Sequence, residues 1–132
     1  MATKKPARRL RSLKVSDAFR DFVLDQLDPL GDVAPKAMFG GVGLYCDGVF
    51  FGIIANDVVY LKVDDGNRRD FERAGMPPFK PYPDRSGTME YFAVPVAVLA
   101  SSDDLVQWAR NAVAAAERVD RATAKRRKGG ST

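Results

Sequence analysis

The chain has 132 residues, 45% of them hydrophobic and 29% charged, a balance that supports one folded core and excludes a disordered or fibrous polymer. Its longest apolar stretches, such as 94–100 with Pro95 inside, fall far short of the roughly 20 residues a membrane helix requires, and no apolar segment follows the basic start as in a secretory signal, so a cytoplasmic protein without membrane contact is expected. The net charge of +4 is unevenly spread: residues 1–14 carry +6 and 118–128 carry +5, which leaves −7 for 15–117, so the body is expected to be acidic and the ends basic.

Residues 1–14, rich in Lys, Arg, Pro and Ala, read as a basic flexible arm, with one domain expected over 15–119. Ser16 stands where an N-cap would, followed by Asp17, and Phe19, Phe22, Val23 and Leu27 recur at helical spacing, which predicts an amphipathic helix. Asp28-Pro29 and Gly31 end it, because the residue before proline avoids the α region and glycine favours a turn.

From Lys36 onward glycine, aromatic and β-branched residues predominate. Residues 37–46, 49–55 and 58–63 read as three strands, separated by Asp47-Gly48 and Asn56-Asp57, whose tolerance of positive φ suits two-residue hairpin turns. An antiparallel meander is the economical topology. After Asp65-Gly66-Asn67 a short polar helix is expected over 68–74, with Phe71 inward and Gly75 as the left-handed residue just past its end. Met76-Pro77-Pro78 stops it. Residues 79–82 and 88–94 read as two further strands around the loop Pro83-Asp84-Arg85-Ser86-Gly87. Ser102 is expected to cap a final helix with Leu105, Trp108, Ala109, Ala112, Val113 and Ala116 on one stripe. That stripe ends at Val119, so 120–132 reads as a basic disordered tail. The order is α-βββ-α-ββ-α, an α+β domain with one antiparallel five-stranded sheet.

Several segments together resemble the TfoX N-terminal domain family. They are Met38-Phe39-Gly40-Gly41-Val42-Gly43-Leu44-Tyr45-Cys46-Asp47-Gly48, Tyr60-Leu61-Lys62-Val63-Asp64 and Asn67-Arg68-Arg69-Asp70-Phe71, then Ala74-Gly75 with Pro78-Phe79, Met89-Glu90-Tyr91-Phe92 before Val94-Pro95, and Leu105-Val106-Gln107-Trp108-Ala109-Arg110. Their order and spacing agree over roughly 16–119. The resemblance implies a two-layer architecture similar to secretion-chaperone folds and permits a homodimer. It implies no catalytic residue. Some relatives are competence regulators, thought to assist a transcription activator, in which this domain precedes a separate C-terminal domain; this chain is expected to be a single-domain member without it.

The chemistry available is narrow. With no histidine in the chain, Ser-His-Asp and Cys-His catalysis and His-containing zinc sites are excluded in their usual forms. Cys46, the one cysteine, excludes an internal disulfide and any multi-cysteine metal site, and reads as an inert, partly buried side chain. Ser86, Ser101 and Ser102 fall in expected turns or caps. Asp64-Asp65-Gly66-Asn67 lacks the alternating acids of a calcium loop and is expected to cap the second helix, and Asp103-Asp104 suits the positive end of the last one. Gly40-Gly41-Val42-Gly43 lacks the ending and the strand-to-helix context of a phosphate loop, so a bulge or close packing is expected there. Met38, Phe39, Gly40, Gly41, Gly43 and Tyr45 are read as structural motif residues, Phe39 and Tyr45 as core candidates.

Lys4, Lys5, Arg8, Arg9 and Arg11, with Arg121, Lys125, Arg126, Arg127 and Lys128, could pair with DNA or RNA phosphates in a salt-sensitive way without sequence preference, or serve as solvated tails. The leading expectation is a non-enzymatic regulatory or protein-interaction module with an unidentified protein partner and no cofactor. A nucleic-acid-binding accessory protein and a ligand-binding or enzymatic domain at the glycine-rich hairpin are the alternatives.

Overall fold

The computed structural model describes residues 14–38, 40–80 and 90–130. The expected arm over 1–14 therefore lies outside the described residues except for Lys14. The chain folds as α1 (Asp17–Gln26), a 3-10 turn (Asp28–Leu30), β1 (Val33–Met38), β2 (Gly41–Cys46), β3 (Val49–Ala55), β4 (Val58–Lys62), α2 (Arg68–Arg73), β5 (Tyr91–Ala93), α3 (Val96–Ala100) and α4 (Ser102–Gly130). The strands form one antiparallel sheet in the order β1-β2-β3-β4-β5. Five strands were expected and five are present among the described residues, but distributed as four before α2 and one after it, rather than three and two.

Two corrections account for that shift. The expected strand over 37–46 is broken at Gly40, whose φ of +86° lets the chain reverse so that Met38 pairs with Gly41. The freed residues upstream complete β1, where Pro35 sits opposite Leu44. A proline reads against a strand in the sequence, yet an edge strand tolerates the missing donor and gains protection from edge-to-edge pairing. At the other edge, the expected strand over 79–82 is a single bridge between Pro78 and Phe92, supported by Phe79 N–H donating to the Tyr91 carbonyl at 2.7 Å and Ala93 N–H to the Pro77 carbonyl at 3.0 Å. Residues 81, 82, 88 and 89 of those two expected strands lie outside the described residues.

The hairpin turns follow the sequence. Asp47 and Gly48 have φ of 50° and 82°, and Asn56 and Asp57 of 54° and 57°, the paired positive values that match the twist of flanking strands. The carboxylate of Asp57 also accepts from Ser16 N–H at 2.9 Å and Ser16 Oγ at 3.1 Å. Ser16 Oγ in turn accepts from Phe19 N–H, so the N-cap of α1 is pinned to the β3–β4 turn. Val23 and Leu27 are fully buried, whereas Phe22, expected on the same stripe, is 42% exposed. One residue from Val23 is about 100° around the helix, which turns Phe22 off the buried side.

Helices and sheet enclose the main core. On α4, Leu105, Ala109 and Ala112 are fully buried among Leu44, Phe51, Ile54, Val59 and Leu61 of the strands, with Trp108 and Val113 packed at the border. Trp108 meets Phe71 of α2 edge to face at 4.8 Å. Leu44 pairs with Gly52 while Tyr45 pairs with Phe50, so Phe51 is the extra residue of a β-bulge. A Cβ on Gly52 would lie 3.1 Å from the Tyr60 carbonyl oxygen and 3.2 and 3.3 Å from Leu61 and Leu44.

The α2 terminus forms as expected, with Gly75 at φ +68°, its N–H bonded to the Glu72 carbonyl and Met76 N–H to that of Phe71. The start of α2 does not. Asn67 makes no side-chain cap; it is 3% exposed, accepts from Asp64 N–H at 2.8 Å and donates to the Lys62 carbonyl at 2.9 Å. Asp64 instead accepts from Gly66 N–H and takes both Arg118 Nε at 2.6 Å and Nη2 at 2.7 Å, tying this loop to α4. At the other end of α4, Ser101 Oγ accepts from Asp104 N–H, and Ser102, expected as the cap, donates to the Gln26 carbonyl at 2.7 Å. Finally, α4 continues as helix to Gly130, where the sequence suggested disordered chain; Ala, Arg and Lys are strong helix formers and the helix is already nucleated.

Two measurements test this packing. Gly52→Ala should lower stability by about 1–3 kcal/mol, because a backbone atom must yield to the new methyl; an unchanged urea midpoint would contradict the bulge as described. The Arg118 hydrogen bond holds the Asp64 carboxyl below its ordinary value of 3.8. The stabilisation is therefore complete above that value and is lost as pH falls through the lower folded-state one. Since Arg118 is 44% exposed, Asp64→Asn should cost at most about 1 kcal/mol near neutrality, and the gap from wild type should close in acid. A gap that widened in acid would reverse the assignment.

Candidate functional site

The antiparallel register sorts the strand residues onto two faces. Leu44, Ile54, Val59 and Leu61 point towards the helices. Gly43, Ile53 and Tyr60 stand in register across β2, β3 and β4 on the opposite face, joined by Tyr45 opposite Phe50 and Lys62 opposite Tyr91. A second cluster forms there from Ile53, Ala55, Phe79 and Tyr91, with Phe50 and Tyr60 against it. Among the described residues this cluster contains none from a helix.

The face is a run of aromatic rings. Tyr45 and Phe50 stack at 5.0 Å, Phe50 meets Tyr91 at 5.5 Å, and Tyr60 meets Phe79 at 4.9 Å. Lys36 Nζ lies 4.8 Å over the Tyr45 ring and Lys62 Nζ 5.1 Å over that of Tyr91, within the range of a cation–π contact. Tyr45, Phe50 and Tyr60 are half-buried. Burial is the main cause that pushes the Tyr91 phenol up to about 12, so it stays neutral and hydrogen-bond competent at physiological pH. Ile53, Ala55, Phe79 and Tyr91 are buried, so the part of the face open to solvent is the half-buried rings of Tyr45, Phe50 and Tyr60 with Lys36 and Lys62 beside them.

The motif residues build this face. Gly40 makes the turn, Gly41 is buried in its pair with Met38, and a Cβ on Gly43 would stand 2.7 Å from Met38 Cε and 3.2 Å from Phe50 Cε1. The glycine expected to mark a bulge or close packing is thus a seat for the Met38 thioether beside the rings; the bulge itself lies one strand away at Phe51. Tyr45, expected in the core, is half-buried on the helix-free face instead. Phe39 lies outside the described residues.

The other sequence candidates are not brought to this face. Cys46 is 7% exposed on the helix side; burial, and then Asp47, push its thiol up from the ordinary value, which keeps it protonated near neutral pH. Lys4, Lys5, Arg8, Arg9 and Arg11, and Ser86, lie outside the described residues. Arg121 is exposed on α4, and Lys125, Arg126, Arg127 and Lys128 occupy its last turns. Among the described residues no three His, Cys, Asp or Glu groups converge as a metal site would require, and no helix is long and apolar enough to cross a membrane.

The family model of the TfoX N-terminal domain matches residues 25–116. The chain belongs to that family. The matched span takes in the whole sheet and the sheet-packed part of α4, and within it lie the Met38 to Tyr45 motif and every ring of the helix-free face. No curated protein matches the chain. A TfoX N-terminal domain is a regulatory or interaction module.

Phe50, Tyr60, Phe79, Tyr91, Lys36 and Lys62 were missed as a group by sequence reasoning. One signal was available: a two-residue loop at Asp47-Gly48 pairs Cys46 with Val49 and hence Tyr45 with Phe50, placing two rings on one face. The partnership of Tyr91 with Lys62 spans the undescribed segment and has no local signal. If Gly43 seats Met38, Gly43→Ala should fold with a loss under about 1 kcal/mol, because the displaced atom is the end of a flexible chain. The Met38 methyl resonance of isotope-labelled protein should nevertheless move. An unmoved methyl would break the link.

Proposed function

We propose that this chain is a non-catalytic regulatory module whose helix-free sheet face docks a protein partner presenting apolar and acidic side chains. The observation that carries this reading is the ring run from Tyr45 through Phe50 to Tyr91, flanked by Lys36 and Lys62. Aromatic side chains supply most of the contact energy at protein interfaces, and cations held beside them select an acidic partner and repel a basic one. Membership in the TfoX N-terminal family, some of whose members regulate competence through a transcription activator, supports a regulatory role in the cytoplasm.

The same cations argue against a homodimer through this face. A two-fold interface sets the same patch against itself, so Lys36 and Lys62 of two copies would be brought together across apolar surface. The enzymatic alternative is disfavoured by the lack of histidine and the protonated state of the Cys46 thiol.

The test starts with affinity capture from native lysate by wild type, Lys36→Glu/Lys62→Glu and Tyr45→Ala, each first shown to melt like wild type. The captured partner is then purified and titrated. Charge reversal should weaken binding at least about tenfold, and Tyr45→Ala by a comparable factor. Equal affinity for all three proteins would remove the face from the interaction, and a concentration-dependent wild-type dimer lost in Tyr45→Ala would replace the partner by a second copy.

A further inference from the structure

We infer that the corner where α1, α3 and α4 meet is a docking surface for a basic segment of a partner protein, with Phe22 as its apolar anchor. It lies in the helical layer and is independent of the sheet face.

Two hydrogen bonds build the corner. Gln26 Nε2 donates to the Leu99 carbonyl at 2.9 Å, and Ser102 Oγ donates to the Gln26 carbonyl at 2.7 Å. The end of α1, the end of α3 and the start of α4 are therefore held together. Phe22 precedes Gln26 by one helical turn and shares its side of α1, and Val96 stands likewise to Leu99 on α3, so both flank this junction. Phe22 is 42% exposed and Val96 80%, and Ala18, Ala97 and Ala100 of the same two helices are exposed as well. The exposed large hydrophobics among the described residues are these two and Val119. The Phe22 ring meets that of Phe19 at 6.3 Å, and Phe19 packs against the core. The ring is propped but not covered.

Scattered apolar side chains are ordinary on a surface; the charge around these is not. At about 100° per residue, Asp21, Asp25 and Phe22 fall within about 100° of arc on α1, and all three are exposed. Asp103 follows Ser102 directly and is exposed too. Asp21 lies 3.3 Å from Arg20, which also reaches Asp17 at 3.7 Å, whereas Asp25 and Asp103 have no cation partner among the described residues. Asp103 suits the positive start of α4. Asp25 has no such local reason: it stands in the last turn of α1, which holds no basic residue, where the negative end of the helix dipole disfavours a carboxylate. A charge that opposes its own helix and meets no opposite charge within the fold is placed for one outside it.

The signs select the occupant. Nucleic-acid phosphates and anionic lipid headgroups are repelled by these carboxylates. A second copy would set the same acids against themselves across a two-fold interface. A segment bearing lysine or arginine is attracted, and an apolar side chain on it gains by covering Phe22. Since the sheet face carries Lys36 and Lys62, the two layers of the domain select partners of opposite charge.

The probe is a labelled peptide of about 14 residues with Leu on one helical side and Lys on the other, titrated by fluorescence anisotropy against the full chain at about 150 mM salt. Wild type should bind it. Asp21→Lys/Asp25→Lys should bind at least about tenfold more weakly, and Phe22→Ser and Val96→Ser each at least about fivefold. Both apolar positions are exposed, so these variants should melt like wild type. Glu72→Lys/Asp120→Lys makes the same change of charge away from the corner and should stay within about twofold of wild type. An equal loss in that control would mean attraction to the acidic body as a whole and overturn the proposal. So would no binding by wild type, unchanged affinity in both Phe22→Ser and Val96→Ser, or equal affinity for a peptide with Glu in place of Lys. Tighter binding by a variant with Lys4, Lys5, Arg8, Arg9 and Arg11 changed to Ser would assign the corner to the chain's own basic arm, and a wild-type dimer lost in Phe22→Ser would assign it to a second copy; either would also overturn it. Lys36→Glu/Lys62→Glu should bind the peptide no more weakly than wild type, which separates this result from that of the sheet face.

Discussion

The seating of α4 on β3 and β4 is the contact on which the remaining architecture depends. Ala109, Ala112 and Ala115 are fully buried on the helix, and residues this small let it approach the sheet closely, so that Phe51, Ile54, Val59 and Leu61 fill the space on either side. The missing side chain at Gly52 belongs to the same fit, since a Cβ there would crowd the Tyr60 carbonyl, Leu61 and Leu44. Each of the other helices is then fastened to this pair by a polar tie at a chain end. Ser16 joins α1 to the β3–β4 turn, Ser102 and Gln26 join α1 to α4 and α3, and Asp64 with Arg118 joins the entry of α2 to α4.

Covering one face of the sheet with helices leaves the other to be stabilised by different means. Its rings stack on one another and take cations over their faces, which stabilises a second, smaller core of Ile53, Ala55, Phe79 and Tyr91 beside the half-buried Tyr45, Phe50 and Tyr60. The family motif contributes to that face through its glycines. Its glycines supply no ligand; they supply a reversal at Gly40 and an empty position at Gly43 into which Met38 settles. A motif whose glycines read as structural, marking a bulge or close packing, is in three dimensions the means of shaping an apolar face.

Electrostatics divides the molecule further. The body is acidic, yet Lys36 and Lys62 place local positive charge on the ring face, and the concentrated cations stand on a helix that leaves the domain after Arg118. Charges separated by more than a Debye length are largely screened from one another. Net charge and isoelectric point average these surfaces and describe neither of them.

Local rules determined much of this protein. The N-cap at Ser16, the turns at Asp47-Gly48 and Asn56-Asp57, the end of α2 at Gly75 and the buried stripe of α4 all follow from residues within a turn of each other, because caps, positive φ and helical periodicity are short-range. The β1 strand escaped that logic because Pro35 is acceptable only at an edge, and a sequence does not say which strand is the edge. Likewise Asp64 and Asn67 have cap-like character, but Arg118, 54 residues away, and the Lys62 carbonyl claim them first. Which face of the sheet receives the helices, and hence that Tyr45, Phe50 and Tyr60 stay half-buried on the other face while Tyr91 is buried there, was decided only when α4 packed. The alternation along each strand defines two sides, but which of them is buried depends on the shape of a partner element far away in the chain.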